Sequence, residues 1–314
     1  MGVPVSRTVR PSLTRLLLLA ALLIAAGGSF ATPITSAQAT PIDCSIFATP
    51  TAAASPVAPT APTEVASPAA VAFPAGGGNL TVFAAASLTD SFNAIKTALE
   101  AANPGLTITY NFAGSQALVT QLTQGASADV FAAASTAQMK AASAGGVIAG
   151  TPVVFTQNRL ALIVPKDNPG GVTGLVDLAR SGLKLVLAQA EVPVGMYARQ
   201  AICKAAADTA TYGEDFATAV TANIVSEEEN VKAVASKVAL GEADAGIVYT
   251  TDVTADIAAS VLVITIPAAV NVVANYPIAP VKGGNADLAA AFIAYLLGPD
   301  GQAILHQYGF EPSP

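Results

Sequence analysis

Asn79-Leu80-Thr81-Val82-Phe83-Ala84-Ala85-Ala86-Ser87-Leu88-Thr89-Asp90-Ser91-Phe92 is the stretch whose reading decides the fold. Its first half, Leu80-Thr81-Val82-Phe83-Ala84, carries a short strand signal. From Ser87 the period changes to that of a helix, with Leu88, Phe92, Ile95 and Leu99 on one stripe. Asn103-Pro104-Gly105 ends that helix. A strand therefore passes into a helix through three alanines and a serine.

The same switch recurs along the chain. Residues 106–112 read as the next strand, and Gly114-Ser115 opens a helix carrying Leu118, Val119 and Leu122. Asp129-Val130-Phe131-Ala132-Ala133 reads as a third strand. Strand and helix keep alternating through 160–164, 176–180, 183–188, 195–207, 231–240 and 245–249. Residues 277–282 read as a further strand, 287–297 as an amphipathic helix stopped by Gly298-Pro299, and 302–308 as a last short helix. Alternation of this kind specifies an α/β fold with mostly parallel sheets flanked by helices. The late segment is expected to return to the first part. That gives two lobes with a ligand cleft between them: residues 79–157 with 272–314, and residues 158–271.

Composition narrows the partners. Of the 14 basic residues, Arg7, Arg10 and Arg15 lie in the first 39 residues, which hold no acid, so the rest carries 11 basic against 21 acidic residues. So acidic a body argues against nucleic acid or an anionic membrane as partner. It also means that an anion bound here is not captured by a basic patch. Those three arginines, the apolar run 16–26 and Ala37-Gln38-Ala39 make residues 1–39 read as an export signal peptide, with a retained membrane anchor as the alternative. There is no adjacent Arg-Arg pair, and Pro41-Ile42-Asp43 is not a lipid-attachment context for Cys44. Residues 40–78, rich in Pro, Ala, Thr and Ser, read as a disordered stalk. The protein is therefore expected in the periplasm, or on the outer face of the cytoplasmic membrane at the cell surface. Export permits a disulfide between Cys44 and Cys203, the two cysteines of the chain. A buried thiol beside a loose one is an equal reading.

Three junctions share one design, in which a small or hydroxyl residue stands between a strand and a helix: Ala86-Ser87, Gly114-Ser115 and Pro193-Val194-Gly195. A helix start leaves backbone N–H groups unpaired and concentrates partial positive charge, so it binds oxyanions without a formal charge. In open α/β sheets such turns lie at the carboxyl ends of strands, where ligands collect. A serine ahead of a helix is equally a plain N-cap, and a tyrosine ending an apolar strand, as Tyr249 does, is equally a core residue.

The ordered set of motifs is more specific than any one of them. Thr81 to Thr89 resembles the opening of the ModA-type molybdate/tungstate-binding proteins, within the periplasmic substrate-binding proteins of ABC transporters. The resemblance continues through Phe112-Ala113-Gly114-Ser115, Ala128-Asp129-Val130-Phe131 and Val192-Pro193-Val194-Gly195-Met196-Tyr197-Ala198. Glu229-Asn230-Val231-Lys232, Gly246-Ile247-Val248-Tyr249-Thr250-Thr251-Asp252 and Tyr308-Gly309-Phe310 complete it. It implies a type II periplasmic-binding fold, closing by a hinge on molybdate or tungstate and delivering it to an ABC permease with its ATPase. It implies that Ser87 and Ser115 bind through hydroxyl and backbone N–H, Val194 and Val231 through N–H, and Tyr249 through its phenol. Molybdenum or tungsten would be held only as its oxyanion through these residues. No cofactor is expected, and the chain is expected to be a monomer. Gly114 stands where relatives commonly carry a serine, a change expected to be harmless. Glu227, Glu228 and Glu229 read as a solvated helix start rather than as ligands.

Rival readings are another oxyanion such as sulfate, a surface-tethered sensor reusing the fold, and an enzyme. The enzyme reading is weak. The single histidine, His306, lies in the terminal helix, and there is no Cys/His zinc cluster, no P-loop and no Gly-x-Ser-x-Gly elbow around Ser87. Ferric-ion sites use adjacent tyrosines, and no Tyr-Tyr pair occurs.

Overall fold

Apolar runs of four to eight residues alternating with helical stripes become, in the computed structural model, a sheet with helices on its faces. The structure describes residues 2, 39–47 and 73–314. The expected signal segment, apart from residues 2 and 39, and the stalk residues 48–72 lie outside the described residues.

The chain lays down β1 (Gly78–Ala85), α1 (Thr89–Ala102), β2 (Leu106–Ala113), α2 (Ser115–Thr123), β3 (Val130–Ala132) and α3 (Thr136–Ala144). A long β4 (Val153–Pro165) follows, then β5 (Leu185–Ala188), α4 (Pro193–Ala206), α5 (Thr209–Tyr212) and α6 (Phe216–Ala222). Next come β6 (Ile224–Glu228), α7 (Val231–Ala239), β7 (Ala245–Tyr249), β8 (Val261–Thr265), β9 (Val273–Pro280), α8 (Ala286–Leu297) and α9 (Pro299–Gln307). The stripe that marks α1 faces inward: Leu88, Phe92, Ile95 and Leu99 are all buried. The helix stops where Asn103 returns its N–H to Leu99, and Gly105 then takes the left-handed φ of +91° that the turn into β2 requires. β5 and β7 are buried at every residue, as central strands covered by helices on both faces are.

The strand order is β2-β1-β3-β9-β4-β7-β5-β6, with β8 on the second side of β4. β1 pairs in parallel with β2 and β3, and β5 in parallel with β6 and β7, so each lobe has a parallel heart. Among the described residues, β4 alone belongs to both lobes. Val153–Arg159 pairs with β9 in the first, and Leu160–Pro165 pairs with β7 and β8 in the second. The chain returns through the β8–β9 connection, and β9 runs antiparallel to β3. Asn271 fastens these two passages together: its Oδ1 accepts the N–H of Leu160 at 3.1 Å and its Nδ2 donates to the carbonyl of Leu160 at 2.9 Å. A buried amide used in this way replaces one rung of a strand ladder where the sheet changes lobe.

Residues 39–47 depart from the stalk expected of their composition. Cys44 is bonded to Cys203 of α4, with Cα atoms 5.3 Å apart. Thr40 donates to Glu227 from its N–H and its hydroxyl, the Ile42 N–H donates to the Thr221 hydroxyl at 3.3 Å, and Ala39 and Ile42 pack on the core. Composition could not reveal this, because the segment is held by one covalent bond and a few polar contacts rather than by apolar burial of its own. The bond closes a loop 159 residues long, which stabilises the fold by up to about 5 kcal/mol in the chain-entropy account. Cys44→Ser should therefore lower the thermal midpoint and expose residues 39–47 to limited proteolysis. An unchanged midpoint and cleavage pattern would mean that the noncovalent contacts suffice.

Candidate functional site

Four of the five sequence-predicted residues arrive by the same local device, a helix start close behind a strand, and the fifth, Tyr249, ends a strand. β1 ends at Ala85, and a single 3-10 turn, Ala86–Leu88, carries Ser87 before α1 begins. β2 ends at Ala113, and Ser115 is the first residue of α2. Both serines are buried. In the second lobe, Pro193 opens α4, leaving the Val194 N–H in the first helical turn, where no carbonyl of the helix can reach it. Val231 opens α7, and the Asn230 cap accepts the Ala233 N–H at 3.0 Å, leaving the Val231 N–H without a partner within the helix. Tyr249 is the last residue of β7.

Ser87, Ser115, Val194, Val231 and Tyr249 line one cavity between the lobes. The space among these residues that is free of protein atoms is about 210 Å³, part of it open to solvent. No charged side chain lines it among the described residues. The Tyr249 hydroxyl is buried and has no hydrogen-bond partner among them, an arrangement that costs stability unless something else accepts its proton. Burial, with Tyr276, Tyr197 and Asp252 close by, holds its pKa well above the ordinary value. It is thus a neutral donor at any physiological pH. The Ser115 hydroxyl oxygen accepts the Ala134 N–H at 3.1 Å, which frees its own proton for the cavity.

The lobes are shut on this cavity by contacts that motif reading did not supply. Gln116 of α2 donates to the Glu229 carbonyl at 2.8 Å, and Gln138 of α3 to the Glu191 carbonyl at 2.8 Å. Lys232 of α7 meets Asp90 of α1 at 2.7 Å. Half-buried glutamines carry no sequence signal, and a Lys–Asp pair 142 residues apart is invisible without the fold. Gly114 belongs to the same closure. A Cβ there would lie 2.4 Å from the Glu229 carbonyl oxygen, so its lack of a side chain lets the two lobes approach closely at this point. At Gly195 a Cβ would lie 2.0 Å from the Gln189 carbonyl oxygen, so α4 can start hard against the end of β5 only with glycine.

The glutamate run differs from its reading as a solvated helix start. Glu227 and Glu228 are in β6, where Glu227 pairs with the buried Arg199 and Glu228 with Lys237. Glu229 offers its backbone carbonyl to Gln116. None of the three carboxylates lines the cavity.

A model of the bacterial extracellular solute-binding protein family matches residues 80–311. The chain belongs to that family. It is similar to the molybdate-binding protein ModA of Mycobacterium tuberculosis, with 40% identity over 236 residues, 75% of this chain and 85% of that protein. Among bacterial extracellular solute-binding proteins it is therefore of the ModA type. Two solved structures share the fold. The periplasmic molybdate-binding protein of Azotobacter vinelandii has a TM-score of 0.62 at 18% identity over 75% of this chain and 100% of its own. The sulfate-binding protein SubI of Mycobacterium tuberculosis has a TM-score of 0.66 at 17% identity over 74% and 86%. The lobes and hinge are thus common to proteins named for different oxyanions, and the choice of ion has to lie in the cavity.

Beneath the cavity, Asp252 accepts the Tyr249 N–H at 3.1 Å through one oxygen, while the other is buried without a partner among the described residues. Burial raises its pKa to about 7, with Asp90 adding and Lys232 and the Tyr249 N–H opposing. Between roughly pH 4 and that value the folded protein keeps a proton that the unfolded chain has released, so this residue's contribution to stability falls as pH rises through the window. Asp252→Asn should flatten that part of the stability profile, read as the thermal midpoint of both proteins from pH 4 to 8. Parallel profiles would remove Asp252 as the source. For the closure, Gly114→Ala should weaken ligand binding and leave the ligand-mixed protein with a larger radius of gyration by small-angle scattering. Wild-type affinity in that variant would show that the Glu229 carbonyl moves aside freely.

Proposed function

We propose that this protein captures molybdate and tungstate outside the cytoplasmic membrane and delivers them to an ABC permease and its ATPase. The observation that carries the reading is the small uncharged cavity lined by Ser87, Ser115, Val194, Val231 and Tyr249, where the buried Tyr249 hydroxyl has no hydrogen-bond partner within bonding distance among the described residues. Four backbone N–H groups, two serine hydroxyls and one phenol supply about seven donors. Hydrogen bonds to an ionised acceptor are about twice as strong as neutral ones. A prearranged set can therefore replace the water that a dianion loses on burial. The cavity is well below the roughly 300–1,000 Å³ of sites for drug-sized ligands, which favours one compact ion over a sugar, a peptide or a chelate.

Selectivity for a metal oxyanion over sulfate would come from the size of the cavity. Sulfate has the same tetrahedral oxygens on shorter bonds, so donors spaced for the larger ion would leave some of its hydrogen bonds stretched. The first lobe supplies the two serines and the second supplies Val194, Val231 and Tyr249. An ion that bonds both halves stabilises the closed form through its differential affinity. The protein works by binding and release, as a monomer, with no cofactor and no covalent step.

Isothermal titration with molybdate, tungstate, sulfate and phosphate tests this. Tight binding of the first two alone is expected, and equal affinity for sulfate would defeat the size argument. Tyr249→Phe should weaken molybdate binding by about 10- to 100-fold, the effect of removing one hydrogen bond to a charged partner.

A further inference from the structure

Behind Ser87, on the side away from the cavity, is a second buried tyrosine. Tyr276 of β9 is fully buried, and its ring is held edge-on by Phe155, Tyr249 and Phe310 at centroid distances of 6.5, 5.8 and 5.5 Å. Its hydroxyl lies 2.9 Å from the Ser87 hydroxyl. Either oxygen of such a pair can be the donor, and the surroundings decide which one is. Asn158 of β4 stands on the far side of Tyr276. Its Oδ1 accepts the Arg159 N–H at 2.9 Å and the Thr250 hydroxyl at 2.9 Å. A backbone N–H can only donate, so this contact fixes which way the amide faces. The Asn158 amide nitrogen must then point the other way, donating to the Thr251 hydroxyl at 2.8 Å and, over a longer 3.5 Å contact, towards the Tyr276 hydroxyl. The Tyr276 oxygen is thus met by a donor from Asn158; the Tyr249 hydroxyl beside it keeps its own proton, and the hydroxyl within hydrogen-bond distance that is left to accept the Tyr276 proton is Ser87, at 2.9 Å.

We propose that Tyr276 is a positioning residue for oxyanion capture: it donates to the Ser87 hydroxyl oxygen, so that the serine's single proton is turned into the cavity. The hydrogen bonds then run in one direction, from Asn158 to Tyr276 to Ser87 to the bound ion. Each donor in such a series polarises the next, and Ser87 meets the ion already oriented. With the order reversed, Ser87 would spend its proton on Tyr276, and the Tyr276 proton would face the donating amide of Asn158. Burial, with Asp252 adding, holds the Tyr276 hydroxyl pKa well above its ordinary value, so the proton that orients Ser87 stays in place. The inference rests on Ser87 being an oxyanion ligand, as proposed above. Tyr276 itself does not line the cavity and touches no ligand position.

A double-mutant cycle on the disulfide-intact protein, titrated with molybdate, tests it. Tyr276→Phe keeps the ring and removes the hydroxyl, and should weaken binding by about tenfold, the scale of one oriented hydrogen bond. In a Ser87→Ala background the same change should cost nothing further, because there is no serine proton left to orient. In a Ser115→Ala background it should cost the full tenfold again. A residue that merely fills space would cost the same in both backgrounds, and that result overturns the relay while leaving the oxyanion reading intact. Asn158→Asp is the second variant. It replaces the donor facing Tyr276 by an acceptor at nearly the same volume, draws the tyrosine proton backwards, and should give the same Ser87-dependent loss. A loss that persists without Ser87 overturns the relay as well. No heat of molybdate binding in the unaltered protein would overturn both the relay and the ligand reading on which it stands.

Discussion

An uncharged cavity can hold a dianion only if its donors are fixed before the ion arrives, since there is no counter-charge to compensate a misplaced one. That requirement organises the rest of the molecule. β1 and β2 end in tight junctions of small residues, Ala86 and Gly114, and α4 and α7 begin within a few residues of β5 and β6, so that each helix starts near a strand end with its first N–H groups free. The glycines at 114 and 195 let two such starts come within contact distance of opposing carbonyls. A nearby lysine or arginine would relax the geometric demand, but would also attract any anion, and selectivity would suffer.

The hinge serves the same end. Two passages of chain connect the parallel hearts of the lobes, one within β4 and one between β8 and β9, and Asn271 bonds each to the other. Asn158 and Tyr276, which lie where those passages run side by side, connect the hinge to Ser87 of the first lobe and to Thr250 and Thr251 at the end of β7. The strands that cross between the lobes and the Ser87 wall of the cavity therefore share one buried polar network. The latches at the cavity rim are of a different kind, namely two glutamine–carbonyl contacts and one part-exposed ion pair. Contacts of that sort contribute little individually, which suits a closure that has to be reversible.

The strand-to-helix alternation was legible from period alone, because apolar runs and helical stripes such as Leu88, Phe92, Ile95 and Leu99 are local signals. Locality also explains the omissions. β6 carries two glutamates and lies beyond two short helices with weak stripes, so Ile224–Glu228 gave no clear run. β8 exposes Leu262 and Val263, and so lacks the alternation of a half-buried strand. The cavity residues were found by resemblance to a family, and on spacing alone the serines were indistinguishable from caps. What brings Ser87, Ser115, Val194, Val231 and Tyr249 together is the crossing of two lobes. Tyr276, Asn158 and Asp252 escaped notice because a buried polar group declares itself only by what it lacks or touches in three dimensions.

The bond between Cys44 and Cys203 has a consequence for how the molecule is carried. Residues 39–47 are fixed to the second lobe, whereas β1, the next element, builds the first. The chain thus passes between the lobes three times rather than twice. The bond also ties maturation to export: Cys44 emerges early and has to wait until the helix bearing its partner has folded outside.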